Sequence, residues 1–269
     1  MRSGGWRGRG ARAKHGAVHT LPLGDIDALF LDAGNTLVGM DLALVCERLA
    51  AHGIAAEPAD VERAEAGARP ALSRLLARGR SSEDRDTFVF HIRNAIAALP
   101  SVAARGDGAD AGAAELDRIA HAVAHELKDA GTRRLWSRIL PGVPEALAAL
   151  HAAGIRLAVV SNSDGTIESG MAAVGLRDYL DAVFDSRVVG FEKPDARIFT
   201  AALAKIGTKP ERTAHLGDLH AVDVVGARGA GVHGVLVDPF DDWRDDACPR
   251  TRSTAELARA LLDARGAAR

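Results

Sequence analysis

Four short stretches hold side chains whose types suit phosphate and divalent-cation chemistry. Asp32-Ala33-Gly34-Asn35-Thr36 follows the mostly apolar run 26–31, and Ser161-Asn162-Ser163-Asp164-Gly165 follows the apolar run 155–160. Lys193 stands in Gly190-Phe191-Glu192-Lys193-Pro194-Asp195, beyond a third short run at 182–184, and Gly217-Asp218 closes a fourth at 213–216. Two carboxylates can hold a divalent ion through oxygen ligands, which is what magnesium demands. A lysine ammonium neutralises a phosphate. Ser161, Asn162 and backbone N–H groups at a helix start can bind phosphate oxygens. Taken singly, each residue has a plainer reading. An aspartate after a strand is ordinarily a turn or helix-start residue, and a lysine before proline is ordinarily solvated. Lys193 is nevertheless one of only five lysines in an arginine-rich chain. The specificity lies in the order and spacing of all four stretches together.

Such residues need elements that bring them to one place. The apolar runs, with a fifth at 234–237, read as strands buried on both faces. Helical stretches separate them at 144–153, 166–174, 195–206 and 222–230, and 255–262 reads as a terminal helix over the sheet. Gly154 reads as a helix stop. Strands alternating with helices of this length imply right-handed βαβ units and a parallel sheet. Ligands bind outside the carboxyl ends of such strands, which is where Asp32, Thr36, Ser161, Asn162 and Asp218 fall.

Between the first strand and Pro141 the pattern changes. Apolar residues recur at helical spacing, as in Leu42, Val45 and Leu49, or Leu116, Ile119, Val123 and Leu127. Residues 105–112 read as a loop. The expected class is α/β, a Rossmann-like three-layer parallel core of residues 25–38 and 137–269 holding an all-helical insert of residues 39–136.

The chain has 269 residues, 47% hydrophobic and 26% charged, with 34 basic against 36 acidic side chains. This composition is that of an ordinary globular protein, and its balance offers no electrostatic argument for a nucleic-acid partner. No apolar run approaches the roughly 20 residues needed to span a bilayer. Cys46 and Cys248 are the only cysteines, which excludes a disulfide framework or cysteine zinc cage and suits a reducing cytoplasm. Arg2, Arg7, Arg9, Arg12 and Lys14 are all the charges in residues 1–24. This glycine-rich basic tail reads as a disordered extension rather than a signal peptide. Acidic residues 238–246 read as a surface loop, and Trp136 as packing near the junction of core and insert.

The four stretches make the chain resemble the haloacid dehalogenase-like hydrolase superfamily. The first motif is similar to Asp-x-Asp-x-Thr-Leu after a strand, here Asp32-Ala33-Gly34-Asn35-Thr36-Leu37. The second is a strand ending in Ser161, and the third is Gly-x-x-Lys-Pro-Asp around Lys193. The fourth is Gly-Asp-x-x-x-x-Asp, here Gly217 to Asp223. The insert looks like the family's helical cap, which usually covers the active site. The resemblance implies a magnesium-dependent phosphohydrolase acting on a small phosphorylated metabolite. Asp32 would attack phosphorus and form an aspartyl-phosphate. Magnesium would be held by the Asp32 carboxylate, the Gly34 carbonyl and Asp218, with support from Asp223. Thr36, Ser161, Asn162 and Lys193 would hold the phosphoryl group.

One position departs from the pattern. The family's phosphatases carry a second aspartate two residues after the nucleophile, which protonates the leaving alcohol and then activates water. Gly34 stands there in this chain. General acid–base catalysis supplies about 10²–10⁴-fold, so alkyl phosphates should suffer most and acyl or aryl phosphates least. His91, His121, His125 or His220 are the candidate replacements. The rival expectation is a catalytically weak or non-catalytic protein that binds a phosphorylated ligand or a protein partner. A Schiff-base phosphonate hydrolase would need a lysine in the insert, where Lys128 stands alone and late. A dehalogenase would carry tyrosine at position 34, and a phosphomutase would need the missing acid. Substrate and oligomeric state are not written in these residues.

Overall fold

The structure, a computed structural model, describes residues 21–104, 109–244 and 247–267. The basic tail through residue 20 therefore lies outside the described residues, although Leu21, inside the expected tail, is buried in the core. In chain order the elements begin with β1 (Ala28–Leu31) and β2 (Val38–Gly39), then α1 (Leu42–Ala51), α2 (Pro58–Leu76) and α3 (Arg85–Ala98). They continue with α4 (Pro100–Ala103), α5 (Ala109–Asp129), α6 (Thr132–Leu135), β3 (Arg138–Ile139), α7 (Val143–Ala152), β4 (Arg156–Ser161) and α8 (Ile167–Ala173). The remainder is β5 (Ala182–Asp185), α9 (Ser186–Val189), α10 (Ala196–Ile206), β6 (Thr213–Gly217), α11 (Val225–Gly229), β7 (His233–Val237), β8 (Arg250–Thr251) and α12 (Thr254–Ala267).

Six strands form one sheet in the order β5-β4-β1-β6-β7-β8, and every neighbouring pair is parallel. Successive side chains alternate between two cores, as the two-residue period of a strand requires. Leu29, Leu31, Leu157, Val159 and Leu216 face one side, where Leu147 and Leu150 of α7 and Leu257 and Leu261 of α12 cover them. Ala28, Phe30, Ala158 and Val160 face the other, under Ile198, Phe199 and Ala202 of α10. Each fully buried Leu or Phe contributes about 1.5–3 kcal/mol of transfer free energy, so both faces must be covered. That explains why these strands are apolar throughout. β1 lies at the centre, which places Asp32 midway along the carboxyl rim. Gly154 ends α7 with φ +76°, the left-handed backbone that glycine adopts without steric cost.

The helices α1 to α6 between β2 and β3 have a separate core, built from Leu44, Val45, Leu49, Ile92, Ile96, Val123 and Leu127 among others. The two strands of chain joining this insert to the sheet pair with each other, Val38 opposite Ile139 and Gly39 opposite Arg138.

Four local expectations are corrected. α5 starts at Ala109, inside the expected 105–112 loop, of which 105–108 lie outside the described residues. The helix expected at 222–230 begins with a wider π-turn at His220–Val224 before α11. β8 is an unforeseen strand of two residues, too short and too polar to show a pattern. Trp243, expected in a surface loop, is buried against Val224, Leu236 and Cys248, whereas Phe240 beside it is exposed. No helix among the described residues is long and apolar enough to cross a membrane.

Candidate active site

The carboxyl ends of β1, β4 and β6 bring the first, second and fourth motifs together, and the loop after α9 adds Lys193. Asp32 follows β1, and its backbone N–H donates to Leu216 of β6. Asp32 Oδ1 accepts from Ser161 Oγ at 3.0 Å and from Lys193 Nζ at 2.7 Å. The same ammonium donates to Asp223 Oδ1 at 2.7 Å. Asp223 also receives Leu219 N on Oδ2 at 2.9 Å and His215 Nε2 on Oδ1 at 3.1 Å. Both of its oxygens are therefore engaged by protein donors. Asp223 stands behind Lys193 and fixes it between two carboxylates.

Burial would drive Lys193 toward its neutral form, but Asp223 and Asp32 more than offset that and hold it firmly charged. Asp223 is the mirror case. Burial raises it, and Lys193 and His215 pull it well below the usual carboxylate range. Burial lowers the His215 pKa, so the neutral ring donates from Nε2, an assignment set by its acceptor-only partner. Burial pushes the Asp32 carboxyl up against the pull of Lys193.

Asp218 is the least compensated carboxylate. Burial pushes its pKa up to about 8, and Arg69 only partly counters the push from Asp32, Asp223 and Glu65. Its Oδ2 accepts from Asn35 Nδ2 at 3.1 Å. A divalent cation would supply a counter-charge here, and the carboxylates of Asp32 and Asp218 with the Gly34 carbonyl are hard oxygen donors of the kind magnesium takes. The residues present fit that ion. Among the described residues no group of three or more His, Cys, Asp or Glu is arranged as a metal cage.

Thr36 and Asn162, both expected at the phosphate, sit in different surroundings. Thr36 is buried and does not line the cavity. Its carbonyl accepts from Thr254 Oγ1 of α12, and its own Oγ1 has no partner. Asn162 lines the cavity, but its amide is spent on Lys193. Its Oδ1 accepts from Lys193 N at 2.7 Å, and its Nδ2 donates to Lys193 O at 3.0 Å and Ser82 Oγ at 2.9 Å. This pairing sets the lysine loop against the rim of β4.

The cavity over Asp32 measures about 190 Å³. The helical insert supplies much of its wall, including Leu72, Phe88 and Lys128, with Trp136 at the junction. A Cβ at Gly34 would lie 3.4–3.7 Å from three carbons of the Trp136 ring, so the indole fills the space beside Gly34. Of the candidate replacement acids, only His91 reaches the cavity. His121 and His125 are exposed and stack on each other, and His220 starts the π-turn outside the cavity lining.

The chain's residues 26–231 match the family model described as haloacid dehalogenase-like hydrolase. The chain belongs to the haloacid dehalogenase-like hydrolase family. It is 31% identical to the mouse (Mus musculus) haloacid dehalogenase-like hydrolase domain-containing protein 3, over 78% of this chain and 81% of that protein. The match to the Bos taurus counterpart, at 34% identity, spans 56% of this chain and 61% of the bovine protein. A glyceraldehyde 3-phosphate phosphatase of Methanothermobacter thermautotrophicus is 39% identical over 38% of this chain and 45% of that enzyme. The fold is that of a magnesium-bound HAD hydrolase of Bacillus subtilis, with a TM-score of 0.56 at 20% identity, covering 88% of this chain and 98% of that one.

The structure adds two residues, Glu65 and Arg69, that the sequence did not single out. Glu65 and Arg69 of α2 are buried, with 3% and 6% of their surface exposed. Glu65 Oε1 accepts from Asn35 Nδ2 at 3.0 Å and pairs with His91 Nε2 at 3.0 Å. Both Glu65 oxygens pair with the Arg69 guanidinium. Burial would raise Glu65, but Arg69 and His91 hold it ionised well below the usual range. Arg69 Nε also lies 3.4 Å from Asp218 Oδ2. The only sequence signal was the i, i+4 spacing of Glu65 and Arg69, which ordinarily marks a solvated ion pair. His215 was hidden in the same way inside an apolar strand.

Proposed function

We propose that the protein is a magnesium-dependent phosphohydrolase that acts on a small phosphorylated metabolite through an aspartyl-phosphate on Asp32. The observation that carries this reading is the buried triad Asp32–Lys193–Asp223 at the mouth of β1, with Ser161 on the same oxygen. The phosphatase name of the archaeal relative supports the same class. Lys193 is already charged and immobilised, so it meets an incoming phosphoryl oxygen with little reorganisation. Lys193 and Ser161 hold Asp32 Oδ1, which leaves Oδ2 as the attacking oxygen. A bond forms from Asp32 to phosphorus, and the bond to the leaving oxygen breaks with its electron pair. Water then attacks phosphorus, the Asp32 carboxylate is released, and the water proton passes to the departing phosphate. Asp32, the Gly34 carbonyl and Asp218 would hold magnesium, which supplies charge neutralisation between the carboxylate and the phosphate dianion.

Gly34 and the indole beside it give the leaving oxygen an apolar neighbour rather than an acid. The preferred substrates are therefore phosphates whose leaving group departs unprotonated: acyl, enol or aryl phosphates. The test is turnover of acetyl phosphate, p-nitrophenyl phosphate and glycerol phosphate with and without magnesium. Magnesium-dependent turnover of the first two, with the alkyl ester at least about 10²-fold slower, is expected. Absence of turnover with folded protein would instead favour a binding role.

A further inference from the structure

The most costly feature the proposed reaction does not use is the buried Glu65–Arg69–His91 group on the inner wall of the helical insert. Burying charges in this way is expensive unless every partner is satisfied, and here, although the Asp242 carboxylate adds a further negative charge nearby, one edge of the arginine makes no hydrogen bond among the described residues. A guanidinium carries five N–H donors in a rigid fork. Nε and one N–H of Nη2 are engaged by Glu65, with Asp218 beside Nε. Nη1 has no hydrogen-bond partner among the described residues, although the residue is only 6% exposed and lines the cavity over Asp32. The end-on edge, Nη1 with the second N–H of Nη2, is the edge that grips a carboxylate or phosphate with two parallel hydrogen bonds. Glu65 cannot swing away to release a different edge. Asn35 and His91 hold Glu65 Oε1 from two other elements. The guanidinium is thus oriented before any ligand arrives, which lowers the ordering cost of binding.

We propose that Arg69 is a substrate-anchoring residue that takes a second oxyanion, carried on the leaving portion of the substrate. The inference rests on the phosphohydrolase reading and narrows its substrate to small phosphorylated acids. The transferring phosphoryl already has Ser161 and Lys193 from the sheet. Arg69 comes from the opposite wall, where the remainder of the substrate must lie. Glu65, His91 and Asn35 are positioning residues for it.

Matched probes separate this inference from the reading beneath it. The 3- and 4-carboxyphenyl phosphates and their carboxamide counterparts have nearly the same size and differ in the added charge. With magnesium, the wild-type protein should prefer at least one acid over its amide by about tenfold or more in kcat/KM, the scale of one charge-assisted bidentate contact. That ratio should fall to within about twofold in Arg69→Leu and lie between in Arg69→Lys, which keeps the charge but loses the fork. Equal turnover of acid and amide by the wild type would overturn the subsite while leaving the phosphohydrolase intact. An undiminished ratio in Arg69→Leu, or an equal loss on both probes, would also overturn it. If Arg69→Leu does not fold, the wild-type ratio and the Lys variant decide. No magnesium-dependent hydrolysis of any of the four probes would defeat the phosphohydrolase reading itself.

Discussion

The rim of the sheet and the inner wall of the insert face each other across one cavity; the rim holds buried carboxylates, Asp218 among them, and a lysine, and the wall holds the buried Glu65 and Arg69. On the rim, Lys193 sits between Asp32 and Asp223. On the wall, Arg69 sits between Glu65 and Asp218. The rim cation has oxygen partners on both sides and a fixed backbone, clamped by Asn162. The wall cation keeps an edge free. A fully tied cation suits a group whose charge must be in place before the reaction, and a half-tied one suits a group that meets a variable part of the ligand. The two walls also touch: Asn35 donates to Glu65 and Asp218 alike, and Ala221 N donates to Ser73 Oγ.

The largest effect belongs on the rim. Asp32→Asn removes the nucleophile and should lower kcat by at least about 10³-fold, with an unchanged circular-dichroism spectrum. An Asp32→Asn protein that retains turnover would break the assignment. Next, Lys193→Met leaves Asp32 and Asp223 buried together without a cation. It should abolish turnover and cost about 3–5 kcal/mol of stability, as removal of one partner from a buried ion pair does, read in urea unfolding. If stability is unchanged, the rim is not held by that pairing.

Gly34→Asp acts where rim and wall meet. Gly34 is not among the glycines with a left-handed backbone, and the added Cβ meets Trp136 at ordinary contact distance. The variant should fold and raise alkyl-phosphate hydrolysis by about 10²-fold, the range of a gained acid–base group.

These rim effects were foreseeable because the sheet's topology dictates them. A central parallel strand must be apolar, its carboxyl end must carry the ligand groups, and Asp32, Ser161 and Asp218 stand where that rule puts them, with Lys193 added by the loop after α9. The wall was not legible for the opposite reason. A helix face shows its charges in the same i, i+4 spacing whether it meets water or a cavity, and only the packing of α2 on α3 makes Glu65, Arg69 and His91 buried neighbours. Thr36 differs again: it lies in the first motif, yet it is buried outside the cavity lining, and its carbonyl accepts from Thr254 of α12.

A smaller effect concerns Asp218. Its carboxyl titrates at about 8 without a cation, so below that pH the folded chain must release a proton to take up magnesium. The apparent magnesium affinity should rise about tenfold per pH unit up to about 8 and level above it. The raised value also means that Asp218 favours the metal-free fold fully only below its unfolded pKa near 3.8, and that this contribution is lost as pH rises toward 8. Calorimetry at pH 7 in buffers of different ionisation enthalpy should show close to one proton released per ion. The smallest effect is expected at Thr36→Val. Replacing an unpartnered buried hydroxyl by a methyl should leave kcat/KM within about twofold and stability equal or slightly higher. A large activity loss there would return Thr36 to the site.

The most direct test of the central claim is to trap the intermediate. The wild-type protein, mixed with acetyl phosphate and magnesium and quenched in acid within one turnover, should yield a peptide heavier by one HPO3, with fragmentation placing the group on Asp32. A quenched chain that turns over substrate yet carries phosphate on another residue, or on none, would contradict the account.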